Sequence, residues 1–480
     1  MGSQLPPRFD VKKVAIVGAG PCGLAAAKYL LAQNAFEKID VFEQQAEVGG
    51  VWNYSPQPSD TVRVPQLRAD GPQDPPLPFD GEDGERPIFP SPMYDVLHTN
   101  IPRALMEFSD LPLRRDTLIF PSREHIQEYI VQYANDIRHL IQFSTQVEDI
   151  RLRVVDDKDN WDVDTVNLIT GTTTSATYDA VVVVSGHYTA VYIPDTKGVR
   201  EFHKVHPNII RHSKHYRTPE QYLQQKVIVV GNAASGIDIA AQISRACKTP
   251  PLLSVRSPTS PAQLGYCGAE EVPVIEEFLP EERAVRFQGG RVEKDIDAII
   301  YATGYLFAFP FLRSLYKDTP SNQPLVTNGR KVHGLYKHMF HIEHPTLVFT
   351  RLPVKVVPFP IAESQAAVFA RTWANVLPLP STAEMWRWEA EETERRGSSK
   401  YHVWPEGGDA EYINSVYDWL ARSNTPGKTP PFWSPKVVWQ RQIYAKAKLQ
   451  FELDRRRARS LEELGFEYSP EQEERHESQA

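Results

Sequence analysis

The chain has little positive charge and few cysteines. Its 480 residues carry 53 Lys and Arg against 61 Asp and Glu, a formal net charge of −8. This balance argues against a nucleic-acid partner, because phosphate backbones attract basic surfaces. The three cysteines, Cys22, Cys247 and Cys267, lie far apart, without the spacing of a disulfide framework or a metal site. We therefore predict a reducing compartment, the cytoplasm, and no bound metal.

Long apolar runs are also missing. No stretch reaches the roughly 18 uninterrupted apolar residues that a membrane span requires, and the N-terminus has no apolar signal core. Hydrophobic residues still make up 41% of the chain, so a protein of this length can bury a large core in two or three domains. These features are typical of a soluble, cytoplasmic enzyme with no membrane partner.

Two glycine motifs are the strongest local pattern. The first, Gly18-Ala19-Gly20-Pro21-Cys22-Gly23, follows the apolar run 14–17 and opens the predicted helix 24–31. Its first glycine permits a tight turn, its second lets backbone approach a pyrophosphate, and its third lets the helix pack on the strand. A second strand, 39–43, ends in Glu43 about 20 residues after the motif, where an acid accepts hydrogen bonds from a ribose diol. The unit predicts an FAD site.

The second motif, Gly231-Asn232-Ala233-Ala234-Ser235-Gly236, repeats this pattern with the opposite charge. It follows the strand 227–230 and opens the helix 237–243. Arg256 stands about 20 residues later, where a guanidinium suits a 2′-phosphate. A charge-assisted bond of this kind is worth about 1.5–3 kcal/mol, so NADPH is favoured over NADH. The alternative is a solvated surface arginine.

Two further apolar strands flank the second motif. The run 178–184 leads into Ser185-Gly186-His187, and the run 297–301 leads into Ala302-Thr303-Gly304-Tyr305. Their small terminal residues are suited to chain crossings between domains. We therefore predict an α/β fold with two dinucleotide-binding, Rossmann-like domains, the NADPH domain being inserted into the FAD domain. The predicted division is 1–190 for the first part of the FAD domain, 191–305 for the NADPH domain, and 306–480 for the second part of the FAD domain with a C-terminal helical extension.

Three segments have less regular patterns. The segment 55–92 holds ten prolines and predicts a long loop. Helical signals follow at 94–97 and at 122–133, where Ser122 is a candidate N-cap. Five tryptophans between Trp386 and Trp433 could form a substrate wall or a dimer surface, although core and surface packing is the favoured reading. A homodimer is left open.

Several segments, in order along the chain, resemble the flavin-containing monooxygenase family that binds both FAD and NADPH. Besides the two glycine motifs they are Gly49-Gly50-Val51-Trp52, the TN-x-P element within 94–110, Ser185-Gly186-His187-Tyr188, Ala302-Thr303-Gly304-Tyr305 and Pro358-Phe359-Pro360-Ile361-Ala362-Glu363-Ser364-Gln365-Ala366. The resemblance implies that NADPH reduces FAD, that O2 forms a C4a-hydroperoxyflavin, and that one oxygen passes to a small-molecule nucleophile, a nitrogen or sulfur centre. A dry pocket is then expected rather than an acid and base pair.

The resemblance also implies the site residues. Asn100 matches the family's active-site asparagine and is the candidate catalytic residue, whereas without the resemblance it is better read as part of a turn before Pro102. The helix near Ala362 is expected to stabilise reduced flavin with its free N–H groups. The candidate cofactor-binding residues are Gly18, Gly20, Pro21, Gly23, Glu43, Gln45, Gly50, Val51, Trp52, Thr99, Asn100, Gly231, Ala234, Ser235, Gly236, Arg256, Thr303, Gly304 and Gln365.

The family fingerprint F-x-G-x-x-x-H-x-x-x-(Y/F) is matched only in part, by residues 206–216. His212 and Tyr216 are kept, but His206 and Asn208 replace the aromatic residue and the glycine. Tyr216 modestly disfavours Baeyer–Villiger chemistry. The alternatives are a Baeyer–Villiger or an amino-acid-type N-hydroxylating monooxygenase, and an NADPH oxidase or redox-responsive binding protein without oxygenation. A flavin disulfide reductase is disfavoured, because no redox-active cysteine pair is present.

Overall fold

The computed structural model describes residues 8–58, 62–69, 75–77, 86–316 and 324–470. The strands of this part of the chain are β1 Lys13–Val17, β2 Lys38–Phe42, β3 Ile141–Gln142, β4 Thr145–Val155, β5 Lys158–Asn167, β6 Thr173–Tyr178, β7 Ala180–Val183, β8 Ala190–Val191, β9 Ile210–His212, β10 Val227–Val230, β11 Leu252–Ser254, β12 Glu270–Val272, β13 Ile275–Leu279, β14 Ala284–Phe287, β15 Val292–Glu293, β16 Ala298–Tyr301, β17 Tyr305–Leu306, β18 Leu335–Tyr336, β19 Phe340–His341 and β20 Leu347–Phe349. Its α-helices are α1 Pro21–Leu31, α2 Arg123–Ala134, α3 Val199–Val205, α4 Ala234–Ile243, α5 Pro261–Cys267, α6 Pro358–Trp373, α7 Thr382–Arg396, α8 Gly408–Ser423 and α9 Pro435–Leu453.

The first sheet carries the first glycine motif. Its seven strands run in the order β18-β19-β20-β7-β1-β2-β3, and the five from β20 to β3 are parallel. The continuous apolar run of β1 suits a central strand that is covered on both faces. Val14 and Ile16 lie in one core cluster with α1 and α6, while Ala15 and Val17 lie in another with residues of β4 to β6.

The second sheet is smaller and entirely parallel. Its strands run in the order β12-β11-β10-β16-β9. Val227 and Val229 of β10 pack with α4, whereas Ile228 packs with α3 and the β13-β14-β15 sheet. Both sheets therefore place a strand, a glycine turn and a helix in the same succession, which confirms the predicted fold class of two dinucleotide-binding domains.

The chain enters and leaves the second sheet side by side. β8 and β17 form a two-stranded antiparallel ribbon in which Val191 pairs with Tyr305. All five strands of the second sheet lie between these two residues. The ribbon supports the proposed division of the chain into residues 1–190, 191–305 and 306–480.

The structural predictions for the three segments with irregular patterns agree with the structure to different degrees. Of the predicted loop 55–92, residues 59–61, 70–74 and 78–85 lie outside the described residues, and the described remainder contains only isolated bridges. The predicted helix 122–133 is confirmed as α2, but the predicted helix at 94–97 is wrong, because these residues form a turn. The tryptophans support the packing interpretation, since those at 386, 388, 404, 419 and 433 are all buried in the main core cluster or packed against it.

Candidate active site

The first glycine motif makes a close connection between β1 and α1. Gly18 has φ of +112°, and a Cβ there would lie 2.8 Å from the carbonyl oxygen of Val184. A Cβ on Gly23 would lie 1.9 Å from the carbonyl oxygen of Gly18. No side chain caps the start of α1, which begins at Pro21 after the N-cap Gly20. The N-terminal N–H groups and the helix dipole are therefore available to a phosphate.

Glu43 lies directly after β2 at this site. Its carboxylate is 4% exposed and accepts backbone N–H groups from Ala19 at 2.8 Å and Gln45 at 2.9 Å. Burial nevertheless raises the pKa of Glu43 to about 7, so these bonds do not offset the lost hydration of the charged form. Ribose hydroxyls are donors that stabilise a carboxylate. The position fits the adenosine ribose of FAD.

A second loop packs against this glycine turn. A Cβ on Gly50 would lie 3.2 Å from the Cα atom of Gly20, and Gln45 donates from Nε2 to the carbonyl oxygen of Gly50 at 3.2 Å. Trp52 ends the short turn and is buried in the main core cluster, with Val51 packed against that cluster. The predicted residues Gln45, Gly50, Val51 and Trp52 thus come together beside the first motif.

The second glycine motif reproduces the geometry of the first. Gly231 has φ of +108°, and a Cβ there would lie 2.8 Å from the carbonyl oxygen of Ala302. A Cβ on Gly236 would lie 1.9 Å from the carbonyl oxygen of Gly231. Helix α4 begins at Ala234 without a side-chain cap, and both Ala234 and Ser235 are exposed. The chain therefore builds the same phosphate cradle twice.

Arg256 lies beyond the end of β11, beside this second cradle in the sheet order. Its side chain is exposed, and no acidic group of the described residues pairs with it. An arginine without a carboxylate partner is free to bind phosphate oxygens in a bidentate manner. The position fits the 2′-phosphate of NADPH, and it leaves the solvated alternative open.

Thr303 and Gly304 hold the crossing between the domains. Thr303 donates from Oγ1 to the carbonyl oxygen of Tyr192. The carbonyl oxygen of Gly304 accepts the Nε2–H of His212 at 3.1 Å. Burial and the nearby His215 lower the pKa of His212 to about 3. The fingerprint histidine is therefore a neutral structural group that ties β9 to the crossing.

The fingerprint tyrosine lies at the contact between the domains. Tyr216 is fully buried, its ring meets that of Tyr94 edge to face with centroids 5.3 Å apart, and its hydroxyl donates to Gln242 at 2.9 Å. Tyr94 in turn donates to Asp238 of α4. This contact explains why 94–97 turns instead of forming a helix, since Tyr94 belongs to the core of the second domain.

Arg217 follows the fingerprint and was not found from the sequence. Its guanidinium is 3% exposed and donates to backbone carbonyl oxygens, at 2.7 Å for Ser55, 3.0 Å for Ser91, 2.9 Å for Lys214 and 2.8 Å for Tyr216. It thereby fastens both ends of the proline-rich segment to the second domain. In the sequence, only its position directly after Tyr216 of the fingerprint marks Arg217 as a candidate functional residue.

The two departures from the fingerprint lie at the periphery. His206 is the C-cap of α3, its ring lies 5.0 Å from that of Phe202 at a tilt of 57°, and its Nε2 donates to the carbonyl oxygen of Pro280 at 2.9 Å. Asn208 is exposed and accepts from Arg211 at 3.3 Å. Neither residue disturbs the bonds of His212 or Tyr216.

Asn100 is exposed, and its amide makes no hydrogen bond to the described residues. The preceding Thr99 is buried, with its N–H bonded to the carbonyl oxygen of Pro121 and its Oγ1 to that of Ile101, each at 2.9 Å. A rigid turn therefore presents a free amide that can both donate and accept.

The middle of α6 contains an unsatisfied donor. Gln365 is fully buried, and its Oε1 accepts the backbone N–H of Arg351 at 2.7 Å. Its Nε2 lies near the Tyr412 hydroxyl, but neither group meets hydrogen-bond geometry with a partner among the described residues. An unpaired buried amide is costly, so the arrangement fits a bound acceptor group, as a flavin ring would provide.

The cysteines do not form a redox pair. All three are free, and burial raises the pKa of Cys22 and of Cys247 to about 11 each. The described residues contain no cluster of His, Cys, Asp and Glu suited to a metal ion. None of their helices is long and apolar enough to cross a membrane.

These two cradles define a protein with two dinucleotide-binding domains. The sequence matches the flavin-binding monooxygenase-like family over residues 82–260 and 266–429, and a NAD(P)-binding Rossmann-like domain over residues 16–69. The chain belongs to the flavin-containing monooxygenase family, which confirms the resemblance. FAD and NADPH are accordingly its cofactors, and its substrates are small molecules and O2.

Relatives of known name extend over most of the chain. The thiol-specific monooxygenase of Saccharomyces cerevisiae is 30% identical, covering 90% of each chain. The flavin-containing monooxygenase iboF of Amanita muscaria is 30% identical, covering 86% of this chain and 88% of its own. The structure of S-allyl-L-cysteine S-oxygenase from Allium sativum is similar with a TM-score of 0.72 and 26% identity, covering 94% and 95% of the two chains.

Proposed function

We propose that this monooxygenase transfers one oxygen atom from O2 to a sulfur or nitrogen centre of a small molecule, with sulfur the first candidate. The observation that carries the proposal is the pair of matched cradles, with Glu43 at one and at the other Arg256, which has no acidic partner among the described residues, in a chain of the flavin-containing monooxygenase family. Sulfur is favoured because two of the relatives are named for oxygenating a thiol or a cysteine thioether.

Two separate groups of residues would bind the two cofactors. Gly18, Gly23 and Glu43 would hold FAD, while Ser235 and Arg256 would hold NADPH. FAD when bound supplies the activation of oxygen, and NADPH supplies the hydride. The remaining proposed cofactor contacts surround these groups, at Gly20, Pro21, Gln45, Gly50, Val51, Trp52, Thr99, Asn100, Gly231, Ala234, Gly236, Thr303, Gly304 and Gln365.

The protein groups near the proposed site are suited to protecting a reactive cofactor, not to acid and base catalysis. Burial and the guanidinium of Arg351 hold the pKa of His187 well below its usual value, and His212 is neutral for the reason given above. Near neutral pH neither histidine is an imidazolium that could act as a general acid, and Nε2 of His187 and Nδ1 of His212 already accept hydrogen bonds from Arg351 and from the backbone N–H of Lys214. Asn100, with its free amide, is the proposed catalytic residue, which would orient the bound cofactor or the substrate.

The test is product analysis across nucleophile classes. Purified protein with FAD, NADPH and O2 is offered a thioether, a tertiary amine, a ketone and a hydroxylamine, and each product is identified by mass spectrometry. We expect the thioether or the amine to gain one oxygen with matched NADPH consumption. An ester from the ketone would replace the proposal with Baeyer–Villiger chemistry, and conversion of a primary amine of an amino-acid side chain, added to the same panel, into its hydroxylamine would point to N-hydroxylation.

The same experiment tests the function without oxygenation. If hydrogen peroxide accounts for all NADPH consumed with every substrate, the chain is an NADPH oxidase. The structure offers no observation in favour of that function, because His206 and Asn208 leave the domain contacts intact. A cytoplasmic location is proposed on the three free cysteines. The homodimer remains a proposal that sedimentation would test.

A further inference from the structure

An arginine without a counter-ion lies between the ends of the central strands of the first sheet. Arg351 follows β20, and its guanidinium donates to His187 Nε2 at 2.9 Å and to the Tyr188 hydroxyl at 3.1 Å, both beyond β7. None of the ion pairs formed among the described residues includes it, and His187 is neutral. Its Nε is buried without a hydrogen-bond partner in the described part of the chain. The half-buried guanidinium therefore carries a positive charge that no negative group of the described residues balances.

The backbone of Arg351 is held in an uncommon conformation. Its φ is +57°, in the left-handed region that disfavours residues with a side chain. The bond from its N–H to the buried Gln365 Oε1 at 2.7 Å fixes it there. Such conformations persist where the surrounding structure enforces them, and they cluster at ligand sites. The protein accordingly holds this side chain in one place.

Two further polar groups next to Arg351, one on the preceding residue and one bonded to its backbone, are also unsatisfied. Besides Arg351 Nε, the buried Thr350 Oγ1 and Gln365 Nε2 have no hydrogen-bond partner among the described residues. Arg351 and Thr350 line a cavity of about 30 Å³ together with Cys22 in the first turn of α1 and with Ser185 and Gly186 after β7. The cavity therefore joins the guanidinium to the helix terminus of the first glycine motif.

We propose that Arg351 is an FAD-binding residue whose guanidinium donates hydrogen bonds to an electron-rich oxygen of the cofactor, which serves as its missing counter-ion. Arg351 Nε, Thr350 Oγ1 and Gln365 Nε2 have no acceptor among the described residues, and FAD presents two acceptor groups, its diphosphate and the pyrimidine edge of its flavin. The helix terminus of α1 and the guanidinium would act on the same bound molecule. This inference rests on FAD binding and not on the identity of the substrate.

The test compares holoenzymes carrying Arg351→Lys, Arg351→Gln and Arg351→Gly with the original protein. The glycine variant relieves the left-handed backbone and therefore separates loss of the guanidinium from failure to fold. Lys355→Gln is the matched control, since Lys355 is an exposed cation at φ of +64° in the same loop. Dissociation of FAD is followed by the fluorescence of released flavin after dilution, and the midpoint potential by equilibration with a reference dye.

A contact to the diphosphate predicts that the glutamine and glycine variants lose about tenfold to a hundredfold in FAD affinity, the range for a charge-assisted hydrogen bond, with an unchanged potential. A contact to the flavin edge predicts a more negative potential, since reduced flavin loses a nearby positive charge. The lysine variant should fall between in either case. Folded variants with both quantities equal to those of the Lys355→Gln control would overturn the proposal, whatever substrate the enzyme oxygenates.

Discussion

Replacing Gly23 by alanine is expected to release FAD while leaving the second domain able to bind NADPH. The new methyl carbon would lie 1.9 Å from the carbonyl oxygen of Gly18, about 1.5 Å short of the 3.4 Å at which ordinary contact begins. The neighbour is backbone and cannot rotate away, so the start of α1 must separate from the turn. Overpacking of this kind costs about 1–3 kcal/mol, and each 1.4 kcal/mol is tenfold in affinity.

The assay measures FAD content and flavin reduction separately. The FAD bound to purified protein is read from its absorbance, and reduction by NADPH is followed without oxygen. Gly236→Ala is the mirror variant, because its Cβ meets the Gly231 carbonyl oxygen at the same 1.9 Å. It should retain FAD but be reduced slowly. Gly265→Ala in α5 is the control, since its Cβ would meet no atom within 4 Å.

The essential result is that Gly23→Ala loses FAD, whereas Gly236→Ala keeps FAD but loses rapid reduction by NADPH. A Gly23→Ala protein with full FAD content and normal reduction by NADPH would refute the reasoning that α1 and its turn hold the diphosphate. Equal loss of FAD in all three variants would instead indicate general unfolding, which a thermal melt would reveal.

Three further predictions concern single polar groups. Arg256→Ala should raise KM for NADPH by about tenfold to a hundredfold and leave KM for NADH unchanged. The control variant, Arg245→Ala at an exposed position, should leave both KM values unchanged in steady-state kinetics. Equal effects of Arg256→Ala on the two nucleotides would contradict a 2′-phosphate contact. Burial raises the Glu43 pKa from 4.5 to about 7 in the FAD-free protein, so the folded form binds the extra proton and stability should fall as pH rises across that interval. FAD affinity should rise over the same interval, because ribose hydroxyls donate to the carboxylate, and Glu43→Gln should abolish this pH dependence in fluorescence titrations; an unchanged profile would remove Glu43 from the ribose site. Asn100→Ala should keep FAD bound but divert NADPH to hydrogen peroxide, measured as peroxide per NADPH, and unchanged coupling would exclude it from the chemistry.

The parts of the site that follow from local backbone physics were predictable. A glycine is required at position 23 because the helix packs against its own turn, and this requirement depends on residues within one βαβ unit. The positions of the charged residues Glu43 and Arg256 follow from the length of each βαβ unit. The distance of each residue from its glycine motif can therefore be read from the sequence, and in the structure the two residues lie just after β2 and β11.

The parts that depend on contacts between distant segments were not predictable. Arg217 makes its bonds to Ser55 and Ser91, more than a hundred residues away, and Arg351 reaches His187 from the far end of the inserted domain. Residues 94–97 do not form the predicted helix for the same reason, since the ring of Tyr94 packs against that of Tyr216. A single sequence carries periodicity, but it does not state which surfaces meet.

Labelled oxygen gives the decisive measurement. The enzyme is turned over with NADPH and a thioether under ¹⁸O₂, and the isotope in the product is counted against NADPH oxidised. We predict one ¹⁸O atom in the sulfoxide for each NADPH consumed. A product without label, with all of the oxygen recovered as hydrogen peroxide, would contradict monooxygenation.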